Sequence, residues 1–410
     1  NDNATKQALI QGGGTIDCPD SVSIDASVDP ARIAPGVVIH GGCRLSGEQT
    51  SIGPGSTLGA EAPVTLENCQ LGRSVCLKGG FFSGATLMNN VDFGSGAHVR
   101  PGTLLEEHAS CAHTVGLKQT LLMPFVTLGS LINFCDCLMS GGTSAKNHSE
   151  VGSSYIHFNF TAHQDKATPS LVGDVPDGVM LVQPPIFLGG QGGLVGPTRI
   201  AYGSIIAAGT ICRRDVLNRE KLLFGETGHR VKEFSYDPRA FGEIDRICHN
   251  NFIYIGNLLA LQAWYHHVRP ILTEGTPHAE ACLEGGRRQI ADVIDERLKR
   301  LTQLASKIAE HIKQVEEEGQ KAEGGVFVNQ RRLVQQWPSV VAKLMQLRGE
   351  CTGDNANRDA FLDAIQKQDS EGNYVETIQS LSLDHKAQGT AWLQHIVDSV
   401  GSLWGEIKHG

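Results

Sequence analysis

The stretch "FGSGAHVRPGTLLEEHASCAHTVGL", residues 93–117, places Phe93, Val99, Leu105, Cys111 and Leu117 six residues apart each time. An amphipathic strand repeats every two residues and an α-helix about every 3.6, so a strict period of six fits neither as a single element. It does fit one flat side of a triangular coil. Each six-residue unit is then a short strand plus a corner, and the periodic residue points inward to stack on its equivalents in adjacent coils.

The same beat continues in both directions. Downstream, Leu188, Leu194, Ile200, Ile206 and Cys212 form a second unbroken run. Upstream, Ile33, Ile39 and Leu45 keep the step, and Ile52/Leu58 and Leu71/Leu77 resume it after inserted residues. Gly, Asn, Pro and Asp at "IAPG", "IGPGST" and "VRPG" are corner residues. No coil buries its apolar side alone, and the spacings count roughly eight or nine stacked coils. The expectation is a parallel β-solenoid over residues 21–230, with residues 1–20 as a lead-in.

Composition agrees. Of 410 residues 48 are glycine and only 6% are aromatic, which suits thin layers and many tight turns. Most of the glycine excess precedes residue 230. Beyond it the rhythm becomes helical, so residues 236–410 are expected to form an all-α domain. Asp237–Pro238 reads as an N-cap and first-turn proline. Ile294, Leu298, Leu301, Ala305, Ile308, Ile312 and Val315 alternate steps of four and three, a short heptad seam able to pack within the chain or against another subunit. "VEEEGQKAEGG" ends that seam, and a later helix is expected to break at Trp337–Pro338. No catalytic motif lies in these helices.

The net charge of -9 and pI near 6.0 argue against non-specific nucleic-acid binding. Eleven cysteines include no CxxC pair, and "CDC" (Cys135, Cys137) is too tight for a zinc ribbon, so buried free thiols in a reducing cytosol are expected. No run of 18 apolar residues occurs, and a cytoplasmic protein without membrane attachment is the expectation.

Three segments resemble the left-handed β-helix, hexapeptide-repeat acyltransferases, most closely the acetyltransferase domain of the bifunctional UDP-N-acetylglucosamine pyrophosphorylase and glucosamine-1-phosphate acetyltransferase family. They are "FGSGAHVRPGTLLEEHASCAHTVGLKQ" (93–119), "HFNFTAHQDK" (157–166) and "FLGGQGGLVGPTRIAYGSIIAAGTICRRDV" (187–216). The resemblance covers roughly residues 90–216. It implies a left-handed coil, a sugar phosphate or nucleotide sugar as ligand, acetyl-CoA as co-substrate with no tightly bound cofactor, and a homotrimer. It places Arg100 and Lys118 on phosphate, where two cations on neighbouring coils clamp a dianion. Asn159 takes the position that meets acetyl-CoA and sugar, and Phe160 stands where the family has tyrosine. Lys166 matches the family's loop lysine after one inserted residue. Gly190 and Ala208 fall on small positions of the pantetheine channel, or serve simply as tight corners. Arg213 and Arg214 either meet coenzyme A phosphates or cap the solenoid with charge.

The sequence departs from the family in three ways. The catalytic histidine's position is held by Ser130 and the following tyrosine's by Asn133, and a serine does not replace a base that deprotonates an attacking amine. His157 and His163 are the nearby candidate bases. About a dozen extra residues, including "VGDVPDGVMLVQPP", lie between Asn159 and Leu188, where a long loop is able to reshape an acceptor pocket. No "GxGTRM" nucleotidyltransferase loop is found, so uridylyl transfer is not expected. Three functions compete: acetyl transfer onto a sugar phosphate or nucleotide sugar, a catalytically reduced binding or scaffold protein, and a zinc-holding γ-class carbonic anhydrase, whose histidine spacing His108, His113, His148, His157 and His163 do not reproduce.

Overall fold

A computed structural model describes residues 2–161, 164–225, 241–318, 325–350, 355–368 and 373–409. Helix α1 (Asp2–Gln11) precedes the first strand, Thr15–Ile16, and the chain then winds into a parallel β-solenoid. Among the described residues one face carries eleven strands, from Thr15–Ile16 to Leu222–Leu223. The other two faces form one sheet of sixteen strands, folded over an edge by the long strands Gly116–Leu122 and Asn133–Met139. The coil count therefore exceeds the eight or nine read from spacing. The early coils carry inserted residues at their corners, which interrupt the period without ending the stack.

The hexad residues do what the period demands. Phe93, Val99, Leu105, Leu117, Leu188, Leu194 and Ile206 lie inside the prism with almost no exposure. Corners require unusual backbone: Gly102 of "VRPG" sits at φ 78°, and its N–H donates to Gln289 Oε1 at 3.0 Å from the helical region.

One face is apolar on its outer side as well. Leu104, Leu121, Leu138 and Leu171 stack in register along it and belong to a second core shared with the helices. That core holds α2 (Val175–Gly178), α3 (Ile244–His267), α4 (Pro277–Glu317), α5 (Gly325–Glu350), α6 (Asn355–Gln366), α7 (Tyr374–Ser380) and α8 (Leu383–His409). The helices thus cover one side of the prism within the same chain. The prism core is a stack of mostly aliphatic side chains and the second core mixes aliphatics with tryptophan, tyrosine and phenylalanine, each large apolar side chain contributing about 1.5–3 kcal/mol on burial.

The heptad seam closes inside the chain: Ile294, Leu301, Ala305, Ile308 and Val315 are buried, with Leu298 and Ile312 packed against the same core. Helix α4 begins at the Thr276 cap, whose Oγ1 accepts from Ala279 N–H at 3.3 Å, followed by Pro277. Asp237–Pro238 lies outside the described residues. Helix α5 does not break at Trp337–Pro338. Pro338 is exposed, while Leu333, Trp337, Val340 and Leu344 anchor both halves on the buried side. Tertiary packing outweighs the local cost of the proline.

Two buried ion pairs tie helices to solenoid. Arg269 donates to both Glu107 oxygens at 3.0 and 2.6 Å and lies 4.0 Å over the Tyr374 ring. Arg297 of α4 meets Asp136 at 2.6 Å, with its side chain 1% exposed. The ten described cysteines are free, most of them buried.

Candidate functional site

The site forms where the strands turn from an open face onto the covered one. Gly116, Asn133 and Ile156 are in register, as are Lys118 and Cys135 one turn apart. Arg100 N–H donates to the Leu117 carbonyl at 2.9 Å, which sets Arg100 on the rung below Lys118. Parallel strands lie about 4.8 Å apart, so the two cationic side chains leave the same corner on successive rungs. His157 follows Ile156 on the next strand, and Asn159 starts the loop to Ser170 that carries Lys166.

That loop is fastened from inside and from the helices. Asp165 accepts from Thr161 Oγ1 at 3.0 Å and from Ala167 N–H at 2.8 Å. Asn251 of α3 donates to the Ala167 carbonyl at 3.0 Å, and Arg297 reaches the Lys166 carbonyl at 3.4 Å. Lys166 itself holds a left-handed φ of 55°.

Together these elements enclose a cleft of about 210 Å³. Its walls are Arg100, Lys118, Gln119, Asn133, Cys135, Asp136, His157, Asn159 and Lys166, with Glu296 and Arg300 added from α4. Both carboxylates are neutralised by arginines of α4: Asp136 by Arg297, and Glu296 by Arg300 at 2.6 Å. The side chains of Arg100, Lys118 and Lys166 have no hydrogen-bond or ion-pair partner among the described residues. Three uncompensated cations beside three side-chain amides make an anion-binding surface with hydrogen-bonding capacity.

His157 lines this cleft but has no ring nitrogen to spare. Its Nδ1 lies 2.5 Å from the Cys135 carbonyl oxygen and its Nε2 2.8 Å from Ser170 Oγ. A carbonyl only accepts, so Nδ1 carries the proton and Nε2 accepts from the Ser170 hydroxyl, whose oxygen in turn accepts from Thr198 N–H at 3.1 Å. Burial holds the ring neutral and pushes its pKa down to about 4. A histidine in this arrangement is a structural joint between coils. His163, the other candidate base, lies outside the described residues.

The remaining predicted residues sit elsewhere. Ser130 is at a corner between the eleven-stranded face and the open face, where its N–H donates to Ser153 Oγ at 3.2 Å. Gly190 and Ala208 occupy the same corner on later coils. A Cβ at Gly190 would fall 2.7 Å from the Ser153 carbonyl oxygen, so stacking alone demands glycine there. Phe160 is 78% exposed, outside the cleft wall. Arg213 and Arg214 are exposed and follow Cys212, which lies two rungs beyond His157 in register. The extra residues before Leu188 include α2, which packs on α3 and α8, and none of residues 172–185 lines the cleft. Among the described residues no three His, Cys, Asp or Glu side chains assemble as a metal site. No helix among them is long and apolar enough to cross a membrane.

Sequence reasoning missed Gln119, Asp136, Glu296, Arg297 and Arg300. Arg297 carried a signal, since Ile290, Ile294, Arg297 and Leu301 share a helix face at core spacing and a charge there needs a buried partner.

With that geometry established, relatives are informative. The chain is 30% identical over 212 residues to the bifunctional protein GlmU of Pelobacter propionicus, covering 52% of this chain and 41% of that protein. It is 29% identical over 211 residues to GlmU of Geotalea uraniireducens and 27% over 233 residues to that of Acinetobacter baumannii. The chain is a hexapeptide-repeat relative of the GlmU proteins. It spans well under half the length of these relatives, 41% to 45%. No family model matches it.

Proposed function

We propose that the cleft binds a sugar phosphate or nucleotide sugar. The observation that carries this reading is the convergence of Arg100, Lys118 and Lys166, all unpaired, with Asn133 and Asn159 in one cleft. The cations take the phosphate, and the amides take sugar hydroxyls. The kinship with bifunctional GlmU proteins supports the same ligand class.

The geometry favours a binding protein derived from a transferase, because His157 offers no free base and Ser130 stands at another corner. Equilibrium dialysis with UDP-N-acetylglucosamine and glucosamine 1-phosphate tests it. Saturable binding displaced by pyrophosphate is expected, and absence of binding to either overturns the reading.

A second reading, acetyl transfer from acetyl-CoA to the bound sugar, is supported by the resemblance of residues 187–216 to the closing coils of the acetyltransferase family. In that reading Arg213 and Arg214 meet the coenzyme's phosphates and a homotrimer completes the donor cleft. Thiol release from acetyl-CoA in the presence of a panel of amino sugars separates the two readings. Turnover establishes transfer, and binding without turnover leaves the first reading.

A further inference from the structure

Helix α4 carries no motif, yet it contributes two charged side chains to the cleft and is pinned there. Arg297 is the pin: its guanidinium is inserted against Asp136 and the Lys166 carbonyl, on the loop that bears one of the cleft cations. Glu296 and Arg300 stand one turn apart beside it, and both line the cleft. Their i,i+4 order, acid before base, is the favourable one on a helix, and the Arg300 Nε and Nη2 both meet Glu296 Oε1, at 2.7 and 2.6 Å. That leaves Glu296 Oε2 without a partner among the described residues.

A second unsatisfied acceptor belongs to a residue of the same wall. Gln119 lines the cleft, is only 8% exposed, and its Oε1 is buried with no hydrogen bond. A buried amide oxygen without a donor costs about 1–3 kcal/mol, a penalty relieved when a ligand supplies the donor. The solenoid therefore presents three cations, while Gln119 and Glu296 present acceptors that nothing in the described chain satisfies. The matching ligand is an anion that also carries strong hydrogen-bond donors, above all a protonated amine.

We propose that Glu296, oriented by Arg300 and backed by Gln119, is the specificity determinant of the cleft and selects an amino-bearing sugar phosphate over its hydroxyl analogue. The helical region is thus the second wall of the ligand site, supplied by the same chain. This rests on the sugar-phosphate reading of the cleft and adds to it the residue that discriminates.

The test is titration calorimetry on the intact chain at pH 7 with glucosamine 1-phosphate and glucose 1-phosphate, using wild type, Glu296→Gln, Gln119→Leu and the Arg100→Ala/Lys118→Ala double variant. The wild type is expected to prefer the amino sugar by roughly tenfold or more, the worth of one charge-assisted hydrogen bond. Glu296→Gln is expected to bring the ratio to within about threefold while leaving glucose 1-phosphate affinity nearly unchanged, and Gln119→Leu to lower the ratio in part. The double variant is expected to weaken both ligands equally. Glu296 sits on a helix surface at 19% exposure, and a thermal melt of Glu296→Gln matching wild type verifies the fold. An unchanged ratio in Glu296→Gln, an equal loss of both ligands in it, or no preference in wild type overturns the specificity role while the sugar-phosphate reading stands. No binding of either ligand by wild type overturns both.

Discussion

At the scale of single residues, the site is governed by which charges are already spent. His157 is neutral because both ring nitrogens are committed and the ring is buried, with a pKa near 4 against an ordinary 6.5. Between those values protons bind only to the unfolded chain, so this residue makes stability fall as pH drops from about 6.5 toward about 4. His157→Gln is expected to flatten that part of a melting-temperature profile, and an unchanged profile would contradict the assignment. Arg100 and Lys118, by contrast, have no side-chain partner among the described residues. Removing either is expected to weaken a phosphate-bearing ligand by roughly tenfold to a hundredfold with little change in melting temperature, as charge-assisted hydrogen bonds require. These two cations were singled out by the family resemblance that the "RPG" and "VGLK" segments carry; the period alone sets them on neighbouring rungs without distinguishing them from solvated surface charges. The partners of His157 were not legible, since Cys135 and Ser170 reach it only through inter-coil register that a single period does not encode.

At the scale of elements, the contact between solenoid and helices is built on buried charge. Removing one partner of such a pair leaves an uncompensated ion, so Arg297→Met is expected to cost about 3–5 kcal/mol in urea denaturation. The double variant Arg297→Met/Asp136→Leu is expected to recover most of that loss; failure to recover would mean the pair orients the loop rather than merely satisfying charge. Glu106 lies beside the other pair, accepting from Tyr265 Oη at 2.7 Å, and burial pushes its carboxyl up to about 7. Its raised pKa means protons are held by the folded chain between 4.5 and about 7, so this contribution is complete at low pH and is lost as pH rises through neutrality. Glu106→Gln keeps the acceptor for Tyr265 and is expected to melt higher than wild type at pH 8 and similarly at pH 4.5. The heptad seam marked α4 correctly as a packing helix, but a seam does not name its partner. The deciding clue was on the other element: the doubled aliphatics of "TLL" at 103–105, "TLL" at 120–122 and "CLM" at 137–139 put an apolar residue on the outer side of each rung, which only a covering layer explains.

At the scale of the whole molecule, the described residues form a prism with one side sheathed by its own helices and a cation-lined cleft at the seam between them. The cleft is therefore a property of the two parts joined, with cations from the coils and a carboxylate–guanidinium pair from α4. The most direct measurement is calorimetric titration of the intact protein with UDP-N-acetylglucosamine and glucosamine 1-phosphate at two salt concentrations, beside the Arg100→Ala/Lys118→Ala variant. The predicted result is saturable one-site binding that weakens as salt rises and falls at least about tenfold in the variant. Binding that is undiminished in the variant, or no binding to the wild type, would contradict it.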